Sequence, residues 1–126
     1  MATVLVVEDN AANMKLVKFL LESAGHTVVS AMDAETGLTL ARDVQPSLIL
    51  MDIQLPRMDG LEATAQLKAD HVTRAIPVIA LTALAMKGDE ERIRAAGCDG
   101  YIAKPLAYRE FLATIAAHLV KVPAVT

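Results

Sequence analysis

The sequence predicts an α/β fold, a doubly wound five-stranded parallel sheet in the order 2-1-3-4-5 with five helices on its two faces. Three observations lead there. Five short runs rich in Val, Ile and Leu recur along the chain, continuous rather than alternating, as in strands covered on both sides. The stretches between them repeat apolar residues at helical spacing. Capping residues and prolines stand at the borders. Strands alternating with helices imply right-handed crossovers, and so one parallel sheet.

The first strand is Thr3–Val7. Asn10 caps the first helix, where Leu16, Val17, Leu20, Leu21 and Ala24 share a face turned away from Lys15, Lys18 and Glu22, and Gly25 closes it. The second strand is Thr27–Ala31. Asp33 caps the second helix, marked by Leu38, Ala41 and Val44. Pro46 precedes the third strand, residues 47–51, and Asp59 caps the third helix, marked by Leu61, Ala65 and Lys68. Pro77 opens the fourth strand, residues 77–81, at the position where a missing N–H costs least. The fourth helix ends near Gly97, the fifth strand is Gly100–Ala103, and the last helix buries Phe111, Leu112, Ile115 and Leu119. Residues 1–121 thus form one unit and residues 122–126 a tail, with no linker, repeat or low-complexity tract.

Composition narrows the function. At 126 residues and 54% hydrophobic, the chain has length and aliphatic content for one self-sufficient core. A single cysteine, Cys98, excludes an internal disulfide and a multi-cysteine zinc site, and reads as a small, partly buried residue. The apolar start lacks a basic flank and is interrupted by Glu8 and Asp9, unlike a signal peptide. The longest nearly uncharged run, residues 75–86, contains Pro77 and is too short to span a bilayer. A net charge of −3, no Trp and 3% aromatics leave no platform for nucleic acid. The expectation is a soluble cytoplasmic domain with neither membrane nor nucleic-acid partners. His26, His71 and His118 read as surface residues apart from any site.

In open parallel sheets the functional crevice lies beyond the carboxyl ends of the strands, where the strand order reverses. The first strand ends in Glu8-Asp9, the third in Asp52, the fourth in Thr82-Ala83 and the fifth in Lys104-Pro105, whereas the second ends blandly in Ala31-Met32. With the first and third strands adjacent, three carboxylates converge. Two unit charges about 4 Å apart repel by roughly 4 kcal/mol at an effective dielectric of about 20. Either their pKa values rise or a cation joins them, and Mg²⁺ suits such oxygen donors. The set points to phosphoryl chemistry. Asp52 is the oxygen nucleophile that forms an aspartyl phosphate. Glu8 (through water), Asp9, Asp52 and the main-chain carbonyl of Gln54 hold Mg²⁺, while Lys104 and the Thr82 hydroxyl bind the remaining phosphoryl oxygens. Phosphoryl transfer asks for little beyond alignment and charge stabilisation. Taken singly, a strand-end Thr or a Lys is unremarked structure or solvated surface. An Asp closing a fully apolar strand is harder to dismiss, because a buried unpaired carboxylate is costly, and the conjunction of four strand ends carries the argument.

Over essentially its whole length the sequence resembles the response-regulator receiver-domain family. The matching segments are Val6-Val7-Glu8-Asp9-Asn10, Leu48-Ile49-Leu50-Met51-Asp52-Ile53-Gln54-Leu55-Pro56 with Met58-Asp59-Gly60, Ala80-Leu81-Thr82-Ala83, and Lys104-Pro105. The resemblance implies that a histidine kinase or histidine phosphotransfer protein phosphorylates Asp52, and that the Lys104–Pro105 bond is cis. It implies that Thr82 then moves toward the phosphoryl group and the Tyr101 ring turns inward. The fourth helix, fifth strand and fifth helix would form the altered face for a downstream protein. Such a protein is a switch, not an enzyme beyond its own phosphoryl transfer and dephosphorylation. Residues 85–94, with Gly97-Cys98 and Tyr101-Ile102, are similar to a subgroup of stand-alone regulators of cell cycle and cell polarity, and similar runs occur in receivers of hybrid kinases. Lys87, Asp89, Glu90, Glu91, Arg92 and Arg94 place dense charge on the expected output helix. Because the chain ends soon after the fifth helix, output is expected through protein contact, by a monomer for which dimerisation on phosphorylation stays open.

Two other classes share parts of the pattern. A haloacid-dehalogenase-like phosphatase also uses an Asp nucleophile with Mg²⁺. It wants that Asp on the first strand and a second acid two residues later, where this chain has Gln54. A flavodoxin-like electron carrier shares the fold. It wants a hydroxyl- and glycine-rich phosphate loop where Asp9-Asn10-Ala11-Ala12-Asn13 stands.

Overall fold

The structure, a computed structural model, describes residues 2–83, 87–104 and 107–120. Strands β1 (Thr3–Val7), β2 (Thr27–Ala31), β3 (Leu48–Asp52), β4 (Val78–Thr82) and β5 (Gly100–Ala103) alternate with helices α1 (Ala11–Ser23), α2 (Ala34–Val44), α3 (Gly60–Ala69), α4 (Lys87–Ala95) and α5 (Tyr108–Val120). The strands pair in parallel in the order β2-β1-β3-β4-β5, as the sequence predicts.

Side-chain alternation along each strand feeds two apolar layers. Val4 and Val6 of β1 join Val17 and Leu21 of α1 and Phe111 and Ile115 of α5. Leu5 and Val7 point the other way, toward Ala41 of α2, Leu67 of α3 and Ile93 of α4. A sheet covered on both faces has no polar side to show, which is why its strands read as unbroken apolar runs. Each fully buried Leu, Ile or Phe contributes about 1.5–3 kcal/mol relative to exposure.

The caps form as expected. Asn10, Asp33 and Asp59 accept from the main-chain N–H three residues on, at 3.0, 2.7 and 2.8 Å. Gly25 and Gly97 follow α1 and α4 at φ 91° and 103°, a left-handed backbone that a Cβ disfavours. Several expectations need correction. The third and fourth strands lie one residue later than predicted. Pro77 accepts from the Ile49 N–H but has none to donate, while Asp52 and Thr82 are drawn in by Ile53 N–H to Leu81 O and Lys104 N–H to Thr82 O. Ala24, Val44 and Ala65, assigned to inner faces, are exposed, and α3 instead buries Gly60, Ala63, Thr64 and Leu67. Half-buried His118 has Nδ1 and Nε2 at 2.9 and 3.3 Å from the carbonyl oxygens of Thr114 and Asp99, and His26 is half-buried too; of the three histidines only His71 is fully exposed. Pro105, with the expected cis bond, and residues 122–126 lie outside the described residues.

From β1 the chain crosses to β2 on one side and from there returns to β3 on the other. The loops leaving β1 and β3 therefore diverge, and a crevice opens between them at the carboxyl edge of the sheet.

Candidate functional site

The register of the sheet decides what meets in that crevice. Val7 stands beside Met51, so the next residue of each strand brings Glu8 alongside Asp52. Asp52 is paired with Leu81, and Thr82 with Ala103, which places Thr82 and Lys104 at the same edge. The carboxylates of Glu8, Asp9 and Asp52 offer oxygen atoms all within 4.8 Å of one another. Glu8 and Asp52 are buried, while Asp9 faces solvent.

Each buried carboxylate is held at both oxygens. Asp52 Oδ1 accepts from the Gln54 main-chain N–H at 2.9 Å, and Oδ2 lies 3.2 Å from Lys104 Nζ. Glu8 Oε1 takes the same ammonium at 3.2 Å, and its Oε2 accepts from the Asn10 main-chain N–H at 3.1 Å. One lysine thus spans two acids that come from strands on either side of the switch point. Burial, together with the Asp52 hydrogen bond and charge, holds the Glu8 carboxyl above its ordinary value, although Asn10 and Lys104 pull it down. For Lys104, burial acts downward, but the Asp52 charge and the Glu8 hydrogen bond carry its ammonium net upward. Three carboxylates with one ammonium, on Glu8 and Asp52, leave two negative charges in excess when all three are ionised. A hard divalent cation with oxygen ligands matches that excess in charge and in donor type.

Of the residues singled out in the sequence, Glu8, Asp9, Asp52 and Lys104 come together, and buried Thr82 ends the strand beside them. Gln54 takes part through its amide, with its side chain exposed. Tyr101 lies on β5, separated from Asp52 by β4; the Glu90 carboxylate of α4, as hydrogen-bond partner and as charge, pushes its phenol up. Along α4, Arg92 pairs with Asp89 at 3.0 Å and Arg94 with Glu90 at 3.5 Å, so much of the charge noted in the sequence is satisfied within the helix. Sequence reasoning missed the N–H of Asn10 as the group that orients Glu8. The signal was a capping residue directly after an acid pair, where one residue both starts a helix and fixes the acid before it.

Among the described residues no helix is long and apolar enough to cross a membrane. Residues 4–116 match the family model described as the response regulator receiver domain. The polar-differentiation response regulators DivK of Brucella anthropi and Brucella ovis are each 52% identical over 117 residues, covering 93% of this chain and 95% of the relative. Among solved structures, the receiver domain of a sensor histidine kinase from Pseudomonas aeruginosa, with a magnesium ion coordinated in its active-site cleft, superimposes with a TM-score of 0.89. It is 34% identical and covers 95% of this chain and 98% of that one. The chemotaxis protein CheY4 of Vibrio cholerae gives a TM-score of 0.88 at 26% identity, covering 93% and 98%.

Proposed function

This chain belongs to the response-regulator receiver-domain family, and from that premise we propose that Asp52 accepts the phosphoryl group and that a changed protein-binding face is the output. The observation that carries the assignment is the clasp on Asp52, a buried carboxylate held between the Gln54 N–H and the Lys104 ammonium, with Glu8 and Asp9 within 4.8 Å. A carboxylate is a weak nucleophile, so its contribution is alignment. Fixed at both oxygens, it meets the phosphorus of a phosphohistidine on a histidine kinase or phosphotransfer protein. The new O–P bond forms as the P–N bond breaks, the bonding pair stays on the ring nitrogen, and the ring, already protonated at its other nitrogen, leaves as neutral imidazole. Lys104 turns from the carboxylate to a phosphoryl oxygen, and the Thr82 hydroxyl takes another.

Asp9, Asp52 and the Gln54 carbonyl, with Glu8 through water, are the groups that would hold Mg²⁺. Bound there, Mg²⁺ would neutralise charge on the phosphoryl oxygens. The phosphoryl group adds nearly two negative charges and strong acceptors beside Thr82 and Lys104. Movement of Thr82 is transmitted to Tyr101, whose hold on Glu90 changes the face made by α4, β5 and α5, where a downstream protein binds. The receiver unit is residues 1–121, working in the cytoplasm. As 52% identity to regulators named for polar differentiation supports, its role is in the control of cell cycle and polarity.

Acetyl phosphate with Mg²⁺ should label the full chain with one hydroxylamine-sensitive phosphoryl group. Asp52→Asn should abolish the labelling, and undiminished labelling of that variant would refute the assignment.

A further inference from the structure

We infer that Gly60 is a positioning residue for the phosphoacceptor, because the first turn of α3 lies directly against the main chain of Asp52. The inference rests on Asp52 being the residue phosphorylated. A Cβ built on Gly60 would stand 2.7 Å from Ile53 Cα and 2.8 Å from the Asp52 carbonyl carbon, and nearer still to the Asp52 oxygen. Every one of these atoms is backbone, so no side chain can swing aside to make room. The approach is held from both ends. Gly60 N–H donates to Ile53 O at 3.2 Å, and the Gly60 carbonyl accepts from the buried Thr64 hydroxyl at 2.8 Å. Asp59 secures the same turn by accepting from Glu62 N–H at 2.8 Å. The loop between is short, and its Gln54 N–H is the group that grips Asp52 Oδ1. The helix start is therefore a wall behind the nucleophile, fixing where the Asp52 carboxylate and the Gln54 carbonyl come to rest. A methyl group at residue 60 displaces that main chain by something on the order of 1 Å, a misplacement that costs reacting groups about a hundredfold in rate.

The test is the labelling rate of the full chain with acetyl phosphate at saturating donor and Mg²⁺. Gly60→Ala should label about a hundredfold more slowly, with little change in the donor concentration giving half the maximal rate. The amide resonance of Gln54 should shift, while those of remote core residues such as Ile115 stay in place. Leu67→Ala, which also disrupts the packing of α3 but leaves the Asp52 contact intact, should label at close to the wild-type rate wherever it is folded. A matched pair of milder variants covers the case in which Gly60→Ala does not fold. Asp59→Ala and Asp33→Ala each remove one aspartate cap, from α3 and α2 respectively, and only the first should slow labelling several-fold. A folded Gly60→Ala that labels at the wild-type rate, or equal rates in the two cap variants, would overturn the inference alone. Wild-type protein that is not labelled at Asp52 would overturn the phosphoacceptor assignment and this inference with it.

Discussion

Replacing Glu8 by Gln should stabilise the metal-free protein and weaken its response to Mg²⁺. Glu8 is fully buried, with its carboxylate within 4.8 Å of those of Asp9 and Asp52. At an effective dielectric of about 20, each such pair repels by roughly 3–4 kcal/mol, the exposed Asp9 by less after screening. Lys104, 3.2 Å away, returns about 5 kcal/mol on the same scale, but it also serves Asp52 and stays with that residue once Glu8 is neutral. Desolvation acts against the charge as well. The balance disfavours ionised Glu8, and we expect Glu8→Gln to gain about 1–3 kcal/mol at pH 8 in a chelator, the two acids' repulsion and the lost hydration together outweighing the lysine. The assay is urea unfolding followed by circular dichroism. With Mg²⁺ at about 100 times its dissociation constant the wild type should gain about 2.7 kcal/mol. A tenfold weaker site in the variant, the usual loss when an outer-shell ligand is removed, would gain only about 1.4 kcal/mol.

The pH dependence carries its own sign. Glu8 binds its proton more tightly folded than unfolded. Its contribution to stability is therefore present at low pH and is lost as pH rises from its ordinary value of 4.5 through its higher folded value. That downward slope should vanish in the variant. A variant less stable than wild type in chelator at pH 8, or an unchanged gain with Mg²⁺, would refute the electrostatic account.

Three further outcomes are expected. Lys68→Met removes an ammonium that bonds Asp99 Oδ2 at 2.9 Å and the carbonyls of Ile76 and Arg74 at 2.9 and 3.2 Å, and should cost about 1–3 kcal/mol in urea with labelling retained. Phe111→Ala empties a fully buried site under α5, and should cost about 3–5 kcal/mol by the same measurement. Glu90→Gln withdraws the carboxylate that pushes the Tyr101 phenol up, so that absorbance titration near the phenolate band should show one tyrosine ionising at lower pH.

What the sequence made legible was whatever depends on neighbours in the chain. Asn10, Asp33 and Asp59 cap through bonds spanning three residues, and strand character follows from local runs. Glu8, Asp9, Asp52 and Lys104 were legible because polar residues closing apolar strands have few structural reasons to be there. Hidden were contacts set by packing between distant segments. Ala65 looked like an inward residue until α3 turned Thr64, which bonds Gly60 O and lies 3.8 Å from Cys98 Sγ, into the core instead. His118 looked like surface because nothing local announces that it will reach the carbonyl of Asp99. Gly60 appeared only as part of a motif, since its need to lack a Cβ is imposed by the backbone of another element. Arg57 is a local exception: its left-handed φ of 66° belongs to a tight turn closed by Met58 N–H on Pro56 O, at a residue type that does not announce it.

The lysine that spans two acids also ties function to biosynthesis. Its partners lie 52 and 96 residues earlier in the chain, and parallel strands are joined by long crossovers, so the clasp is a non-local contact. No fragment lacking β5 contains the complete clasp on Asp52. A nascent chain still holding β5 inside the ribosome therefore lacks the complete clasp, and under the proposed function Asp52 would become a competent acceptor only once β5 has joined the sheet.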